Sequence, residues 1–373
     1  MLRKPGKRTR PARRQAATRG EPMQGKGRIF LIIWASLMTL IVVALVGFEA
    51  MRMFGKNNLT NKSATSTPMR AQTEDYQPEE GVTWQPDWVR YNGGVYDYNE
   101  DITTFLIMGI DKDDEVVTKV NEGTGGGQAD ALFLLVLNPR DQSIKVIGIN
   151  RNSMTDIDIY DDYGRYQNTI VAQIALQHGY GDGMEKSCEY TVKAVSNMFY
   201  QLPIHGYAAI NMSAIPTIND QVGGVDVEVL DDLTKWDKSL VKGSKVHLEG
   251  DSAFYYVKAR DITIYGSNDD RLERQRQYLN GFIQAARNVS QDNPNAAVEL
   301  FTAISNQMVT NITPDEISYL APYITSYSFD PSDLRTIDGK TQKTGKYEEF
   351  IIDEDSLYQT IIDVFYEKVD YEG

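Results

Sequence analysis

One apolar segment restricts the architecture of this chain more than any other feature. Residues 29–48, IFLIIWASLMTLIVVALVGF, run for 20 positions without a charged side chain. As an α-helix, the segment would extend roughly 30 Å, the thickness of the hydrocarbon layer of a membrane. It is longer than the apolar part of a cleaved signal peptide, and it exits through FEAMRMF rather than a small-x-small motif. The sequence therefore predicts a single uncleaved transmembrane signal anchor.

The charges on the two sides of this anchor predict its orientation. Residues 1–28 contain ten Lys or Arg against one acid, Glu21, whereas residues 49–56 contain only Arg52 and Lys56 as cations. Because positively charged flanks stay inside the cell, residues 1–28 are predicted to be a basic cytoplasmic tail. We therefore expect a single-pass protein of the cell membrane whose large domain is extracellular.

The outer part of the chain is strongly acidic. The whole chain has a formal net charge of −14, and residues 1–28 contribute +9, which leaves −23 for residues 29–373. Such a surface repels the phosphates of DNA and RNA, so we expect no nucleic-acid partner. A DNA-binding function would rest on the basic tail alone, and membrane topology with anionic lipid already explains that tail.

Composition divides the outer part into a linker and one domain. Residues 56–86 are polar, poor in aliphatic side chains and rich in Ser, Thr, Asn and Pro, which predicts an extracellular linker over residues 49–89. From residue 90 onwards regular apolar patterns begin. These patterns indicate one globular domain over residues 90–373.

This domain is predicted to have an α/β or α+β fold. Residues 103–110, 131–138 and 145–150 are short, nearly continuous apolar runs, which are typical of strands covered on both faces. Further strands are predicted at 154–162, 207–212 and 225–230, and near 335 and 349. Helices are predicted at 168–179, 183–200, 213–224 with Ser213 as the cap, 270–288, 294–308, 314–325 and 355–368.

The usual catalytic signatures do not occur in the sequence. There is no P-loop, no GxSxG elbow and no HExxH helix. The contexts of His178, His205 and His247 predict surface or helix-end positions rather than metal ligands. Cys188 lies on the apolar face of a predicted helix, where core packing explains it. The glycine-rich run EGTGGGQAD at 122–130 predicts a flexible loop.

Two aspartates flank the glycine-rich run at predicted strand ends. Asp111 closes the first strand and Asp130 opens the second, while Arg151 adds a cation after the third. Two neighbouring carboxylates suit a divalent cation that is shared with a substrate phosphate. Strand-end aspartates also serve simply as turn formers. The three strand ends are therefore a candidate site with two interpretations.

A cluster of cations at 269–279, DDRLERQRQYL, is a second candidate site. On a helix, Arg271, Arg274 and Gln275 share one face, whereas Arg276 points elsewhere. The planar guanidinium group of arginine matches the oxygens of a phosphate. The spacing alone fits an anion site and a solvated helix face equally well.

Six segments of the domain occur in a recognisable order. They are FLIMGID (105–111), QADALFLLVLNP (128–139), IKVIGINRNS (144–153), INDQVGGVDVEV (218–229), LEGDSAFYYVKAR (248–260) and DRLERQRQ (270–277). Together they resemble the LytR-CpsA-Psr family, the cell-wall glycopolymer transferases of Gram-positive bacteria. The order of the six is more specific than any one of them.

The resemblance implies both a fold and an activity. The fold would be a central mixed β-sheet flanked by helices that enclose an apolar pocket for a polyprenyl chain. The activity would be a Mg²⁺-dependent phosphotransfer. It moves a glycopolymer, such as teichoic acid or capsule, from an undecaprenyl-pyrophosphate carrier to a hydroxyl of peptidoglycan.

The resemblance also implies roles for individual residues. Asp111 and Asp130 match the metal-side aspartates, and Asp130 is the candidate proton acceptor. Asp130, Arg151 and Arg271 are the candidate catalytic residues. The residues that match the pyrophosphate-binding group are Arg151, Lys258, Arg260, Arg271, Arg274 and Gln275.

Five positions depart from the family pattern. Gln128 stands where the family usually has Arg, and Asn150 and Asn152 flank Arg151 in place of Pro and Asp. Lys258 replaces an arginine and so loses the bidentate fork. Asn268 stands where Asp is common. Two functions remain open: an active transferase, or a catalytically weak polyprenyl-phosphate-binding protein or cell-envelope regulator.

Overall fold

The computed structural model of the protein describes residues 50, 52–59, 62, 85, 88–112, 116, 125–161, 163–261, 263–293, 295–345 and 347–369. The predicted cytoplasmic tail, the anchor at 29–48 and most of the predicted linker lie outside the described residues. Among the helices that are described, none is both long and apolar enough to cross a membrane.

The described chain contains fifteen strands and eight helices that carry labels below, besides helical residues 52–59. The strands are β1 Trp88–Tyr91, β2 Gly94–Tyr98, β3 Thr103–Ile110, β4 Ala129–Asn138, β5 Ser143–Ile149, β6 Met154–Tyr160, β7 Tyr166–Gln173, β8 Gly206–Asn211, β9 Val225–Glu228, β10 Lys245–Leu248, β11 Met308–Thr310, β12 Leu334–Thr336, β13 Gly339–Thr344, β14 Tyr347–Ile352 and β15 Tyr366–Lys368. The helices are α1 Leu176–Gly179, α2 Glu185–Met198, α3 Ile215–Gln221, α4 Asp251–Lys258, α5 Ser267–Asp292, α6 Ala296–Ala303, α7 Pro314–Ser326 and α8 Glu354–Phe365.

Six strands form the central sheet in the order β11-β8-β3-β4-β5-β12. β8 pairs with β3 and β12 pairs with β5 in parallel, while the other pairs are antiparallel. The sheet is therefore mixed, as expected, and the fold is α/β. Smaller sheets are formed by β1-β2-β15, β9-β10, β13-β14 and β6-β7.

The central sheet is covered on both faces. On one face, Leu134 and Ile147 belong to a buried cluster with Cys188 of α2 and Phe365 of α8. On the other face, Phe105, Phe133 and Val146 pack in a cluster with residues of α5 and α7. The prediction from the nearly continuous apolar runs is confirmed, and so is the core position of Cys188, which is fully buried.

The helix predicted at 168–179 is wrong. The chain instead forms β7, which makes an antiparallel hairpin with β6, and only the single turn α1 follows. β-Branched side chains such as Thr169 and Ile170 favour an extended backbone. The Thr169 hydroxyl donates to Asp158 Oδ1 of the partner strand at 2.6 Å, which adds a side-chain bond to the hairpin.

Two other predicted helices end early because their last residues pair with strands. Residues 308–310 form β11 beside β8, and residues 366–368 form β15 beside β2. Ser213 is not a helix cap, since a 3₁₀ turn at Met212–Ala214 precedes α3 and the Ser213 hydroxyl donates to Gln307. Helix α4 was not predicted.

Candidate active site

Three consecutive antiparallel strands bring the predicted carboxylates and one arginine to the same edge of the sheet. Asp111 follows the last residue of β3, Asp130 is the second residue of β4, and Arg151 lies two residues after β5. Ile110 pairs with Ala129, and Leu132 with Ile149, so these three strand ends are neighbours. An antiparallel meander places the end of one strand beside the start of the next, which explains why local sequence reasoning located them.

These strand ends border a cleft of about 760 Å³. The predicted site residues that line it are Asp111, Asp130, Arg151, Lys258, Arg260 and Arg271. Trp236, Phe254 and Tyr255 supply an aromatic part of the lining, with Tyr255 and Phe254 on α4. Among the described lining residues, five cations face two carboxylates. In a chain with a net charge of −14 this is a local excess of positive charge, which would attract an anion.

Asp130 lies between two arginines at the base of the cleft. Arg271 Nη1 donates to Asp130 Oδ2 at 2.8 Å, and Arg151 Nη1 lies 3.1 Å from Asp130 Oδ1. Both Asp130 and Arg271 are buried. Oδ1 is also buried but accepts no hydrogen bond from any described residue, so the Arg151 contact is electrostatic only. Asp130 Oδ1 therefore has hydrogen-bonding capacity that no described residue uses.

Arg151 and Arg260 in the cleft are largely shielded from solvent. Burial lowers the pKa of Arg151 to about 10, and Asp130 opposes this shift while Arg271 and Arg260 add to it. Burial and the charge of Arg271 also lower the pKa of Arg260. All three guanidinium groups still carry their charge at neutral pH. Because they repel one another, an added anion would be stabilised by relief of that repulsion.

The remaining cations of the cleft come from the end of α4. Arg260 makes neither a hydrogen bond nor an ion pair with the residues that the structure describes, so its donors face the cleft. Lys258 Nζ lies 3.4 Å from Asp111 Oδ1 and 4.9 Å from the centre of the Phe254 ring. Gln128 accepts a hydrogen bond from Arg151 Nη2, where the family pattern would place a second arginine.

Arg274 and Gln275 do not reach the cleft. Arg274 is buried, and its Nη1 and Nη2 donate to the backbone carbonyls of Tyr256 and Ala259 at 2.6 and 2.5 Å. Its Nε lies 3.1 Å from Asp231 Oδ2. Gln275 Nε2 donates to the Val257 carbonyl at 3.2 Å. Both side chains fasten α5 to the end of α4, so they position the loop that carries Arg260 rather than a ligand.

The shared helical face of α5 is nevertheless observed. Arg271, Arg274 and Gln275 are all buried, whereas Arg276 is partly exposed and pairs with Glu273 at 3.2 Å. The spacing argument therefore grouped these three residues on one face correctly, but it left open whether that face is solvated, and the structure shows that it is buried. It did not separate the one arginine that faces the cleft from the two residues that face α4.

His178 contacts Gly127, which lines the cleft, and the sequence did not predict this contact. It lies at the end of α1 but is 1% exposed, and its Nδ1 lies 3.1 Å from the Gly127 carbonyl oxygen. His205 is also buried and lies outside the helices, so its predicted surface or helix-end position is wrong, whereas His178 does lie at a helix end as predicted and the His247 side chain is 46% exposed. No local signal marks His178, because its partner lies 51 residues away.

The described end of the glycine-rich run is packed rather than flexible. Lys112 Nζ donates to the Gly125 carbonyl at 3.0 Å, and Gly126 N–H donates to the Gly179 carbonyl at 3.2 Å. Gly127 has a φ of +89°, and a Cβ there would lie 2.8 Å from Ile110. This segment needs glycine for close approach. Residues 117–124 lie outside the described part of the chain.

The buried His178 predicts a particular pH dependence of stability. Burial lowers its pKa to about 4, so between about pH 6.5 and 4 the unfolded chain binds a proton that the folded protein excludes. This residue should therefore remove about 3 kcal/mol of the free energy of unfolding as the pH falls through that window. Urea titrations of His178→Gln should show a shallower loss than the unaltered protein.

His247→Gln is the matched control for this titration. His247 is exposed at the surface, and its hydrogen bond with Asp226 raises its pKa, so its contribution has the opposite sign and is weakened by solvent. An identical pH profile for His178→Gln and the unaltered protein would contradict the neutral buried state of His178.

A mixed α/β domain with a cationic cleft at its strand ends matches a known class of proteins. The chain belongs to the LytR_cpsA_psr family, which it matches over residues 57–362. The resemblance of the six ordered segments is thereby confirmed.

Two named relatives have similar sequences. A polyisoprenyl-teichoic acid–peptidoglycan teichoic acid transferase, TagU, of Bacillus anthracis is 28% identical over 214 residues, which are 57% of this chain and 62% of that protein. The TagU of Enterococcus faecalis is 27% identical over 224 residues, 60% of this chain and 66% of that protein. This chain therefore aligns with somewhat less than two thirds of the Bacillus relative.

Solved structures share the fold. TagV of B. subtilis superimposes with a TM-score of 0.54 at 23% identity over 70% of this chain and 96% of that one. A structure described as TagT bound to LI-WTA gives a TM-score of 0.53 at 19% identity, over 71% of this chain and 89% of that one. At these identities the similarity establishes the architecture.

Proposed function

We propose that this protein is a phosphotransferase that moves a glycopolymer from a polyprenyl-pyrophosphate carrier to a hydroxyl of peptidoglycan. The observation that carries the proposal is the cleft in which Arg151, Arg260 and Arg271 surround the carboxylate of Asp130. A pyrophosphate is the kind of anion that several guanidinium groups bind best. The name of the TagU relatives points to the same chemistry.

In this proposal the arginines hold the reacting phosphates. The acceptor hydroxyl oxygen forms a bond to the glycan-side phosphorus, and the bond from that phosphorus to the bridging oxygen breaks. The polyprenyl phosphate leaves with the electron pair, and Arg151, Arg260 and Arg271 stabilise the charge that develops on it. Asp130 is the candidate acceptor of the hydroxyl proton, and its Oδ1 accepts no hydrogen bond from a described residue.

The carboxylates of the cleft also fit Mg²⁺. Mg²⁺ usually takes one or two carboxylates and completes its shell with water and substrate phosphates. The described residues contain no group of three or more His, Cys, Asp or Glu that could hold a metal ion. Asp111 and Asp130 are the two carboxylates among the described residues that line the cleft, so they are the residues that would hold the ion. Bound there, the ion would neutralise phosphate charge.

Metal dependence gives a direct test of this part of the proposal. Chelation with EDTA is expected to lower the affinity of the full-length protein for inorganic pyrophosphate by about tenfold or more, because the phosphate loses a hard cation. Titration calorimetry with and without Mg²⁺ measures this effect. Equal affinities would show that the arginines bind pyrophosphate alone.

An apolar groove for the carrier lipid is supported by unusual exposure beside Arg271. Ile107 and Leu135 lie on central strands, yet they are only partly buried although α5 and α7 cover that face. Leu272, Leu279 and Ile283 of α5 are likewise partly buried and pack against the same cluster. Partly exposed apolar side chains on a face that two helices cover would line such a groove. We propose that the polyprenyl chain occupies it.

The location of the reaction follows from the sequence. With residues 29–48 as an anchor and residues 1–28 in the cytoplasm, the domain would work at the outer surface of the membrane, where lipid-linked glycopolymer and peptidoglycan meet. This placement stays a proposal.

Transfer can be measured with the full-length protein in lipid nanodiscs. A polyprenyl-pyrophosphate-linked glycan, Mg²⁺ and peptidoglycan oligomers should yield a covalent glycan–peptidoglycan conjugate detectable by mass spectrometry. If no conjugate forms under conditions in which a family transferase produces one, the enzymatic proposal fails.

A second function is favoured by the departures from the family pattern. Gln128 engages Arg151, and Lys258 supplies a point charge in place of a fork, so the cleft has fewer bidentate donors for the transition state. Such a cleft suits a polyprenyl-phosphate-binding protein with weak activity. Lipid extracted from the purified protein, without conjugate formation, would support this alternative.

A further inference from the structure

A chain of side-chain hydrogen bonds runs from Arg271 to the β13–β14 hairpin. Arg271 Nη2 donates to Asn268 Oδ1 at 2.9 Å, and Asn268 Nδ2 donates to Asn150 Oδ1 at 3.0 Å. Asn150 Nδ2 then donates to Asp269 Oδ1 at 2.8 Å. The Thr341 hydroxyl donates to Asp269 Oδ2 at 2.7 Å.

The two ends of this chain fix the direction of every bond in it. Arginine can only donate, and an ionised aspartate can only accept. The amides of Asn268 and Asn150 must therefore both present oxygen towards Arg271 and nitrogen towards Asp269. Asn150 Oδ1 also accepts from the Asn152 backbone N–H at 3.0 Å, which excludes the flipped amide a second time.

The chain of hydrogen bonds is buried where it meets the cleft. Arg271, Asn268 and Asn150 are 3%, 2% and 5% exposed, so an unpaired amide there would lose its hydrogen bond without gaining one from water. Asn150 follows the end of β5, Asn268 and Arg271 lie in the first turns of α5, and Thr341 lies on β13. The hydrogen-bond chain therefore joins these three elements.

The consequence for Arg271 is a fixed guanidinium plane. Nη1 is bound to Asp130 and Nη2 to Asn268, so both terminal nitrogens have a defined direction. Removing the Asn268 contact would let the group rotate about its bond to Asp130. Preorganised donors of this kind are worth more to a charged ligand than mobile ones.

We propose that Asn268, Asn150, Asp269 and Thr341 are positioning residues that hold Arg271 in its anion-binding orientation. The proposal rests on the proposed function in that the anion is the pyrophosphate group of the substrate. It extends the site from the cleft to a hairpin whose role the sequence does not indicate. Asn150 and Asn268 thereby act together, because the Asn268 amide nitrogen donates to the Asn150 amide oxygen.

Thr341→Val tests the far end of the chain with little risk to folding. The variant keeps the shape of the side chain and removes the donor to Asp269, so inorganic pyrophosphate should bind the full-length protein about 3-fold or more weakly. Thr344→Val is the matched control: it removes a hydroxyl on the same strand that donates to Glu349 at 2.9 Å, away from this chain. The control should leave the pyrophosphate affinity unchanged.

An exchange of Asn150 and Asp269 tests the direction of the bonds. Asn150→Asp places two carboxylates at the 2.8 Å contact, and pyrophosphate affinity should fall about tenfold or more. Asp269→Asn alone should cost little, because its amide can accept from Asn150 and donate to Thr341. In the double variant the new amide at position 269 can donate to the new carboxylate at position 150, which still accepts from Asn268. Affinity should then return to within about 3-fold of the original.

The outcomes separate this inference from the proposed function. Recovery in the double variant, with pyrophosphate affinity as the readout and melting temperature as a check on folding, supports positioning of Arg271. Additive losses in the double variant, or equal effects of Thr341→Val and Thr344→Val, overturn it. Pyrophosphate binding that follows these expectations without conjugate formation leaves the positioning intact and defeats the transferase. Absence of pyrophosphate binding by the unaltered protein overturns both.

Discussion

Replacing Asp130 by asparagine is expected to lower the rate of conjugate formation by a factor of roughly 100 or more. The carboxylate lies 3.1 Å from Arg151 Nη1 and 2.8 Å from Arg271 Nη1, so its loss leaves two buried guanidinium groups facing each other. It also removes the candidate proton acceptor and metal ligand. Breaking a buried ion pair in this way should reduce the free energy of unfolding by about 3–5 kcal/mol. Urea unfolding and the conjugate assay measure the two effects.

Asp101→Asn is the control for this experiment. Asp101 pairs with Arg140 at 2.7 Å, but the two side chains are 57% and 46% exposed. An exposed pair of this kind contributes about 0–1 kcal/mol, and it lies outside the cleft lining. Equal losses of stability for the two variants would contradict the buried character of the Asp130 site.

Replacing Arg274 by lysine is expected to destabilise the domain by about 3 kcal/mol. Lysine keeps the charge but cannot reach the carbonyls of Tyr256 and Ala259 and the carboxylate of Asp231 together. The Tyr256 carbonyl lies in the last turn of α4, where helical carbonyls lack intrahelical partners, so the arginine acts as a cap. Urea unfolding measures the loss, and transfer should fall with it because Arg260 follows this turn.

The matched control is Arg276→Lys on the same helix. Arg276 is partly exposed and pairs only with Glu273 at 3.2 Å, so this change should alter stability by less than about 0.5 kcal/mol. The pair of variants also distinguishes the two roles considered for Arg274. If Arg274→Lys weakened pyrophosphate binding and left stability unchanged, direct contact with the ligand would be the correct interpretation.

Part of the candidate site could be predicted from the sequence, because the residues that form it lie at the ends of consecutive strands or on one helix. Each of β3, β4 and β5 is a nearly continuous apolar run, and a meander of such strands places Asp111, Asp130 and Arg151 at one edge. The period of the helix likewise placed Arg271 on one face with Arg274 and Gln275. Both inferences use residues that lie on one helix or at the ends of consecutive strands.

The function of that helical face depended on what packs against it. Arg271 meets Asp130, 141 residues away, whereas Arg274 meets the carbonyls of α4, a helix that the apolar pattern did not reveal. The helical spacing of an arginine is the same whether its guanidinium group faces a ligand or another helix. Only the packing of α4 on α5 decides that one arginine faces a ligand and the other a helix end.

The sequence by itself determined the strands covered on both faces, the carboxylates at their ends and the shared face of Arg271, Arg274 and Gln275 on α5, because hydrophobic and helical periods are local properties. The tertiary structure alone decided that His178 holds the Gly127 carbonyl and that Asn268 pairs with Asn150, 118 residues away. Hydrogen bonds between distant residues leave no pattern in either segment. They arise only when packing excludes water and each buried donor must find an acceptor.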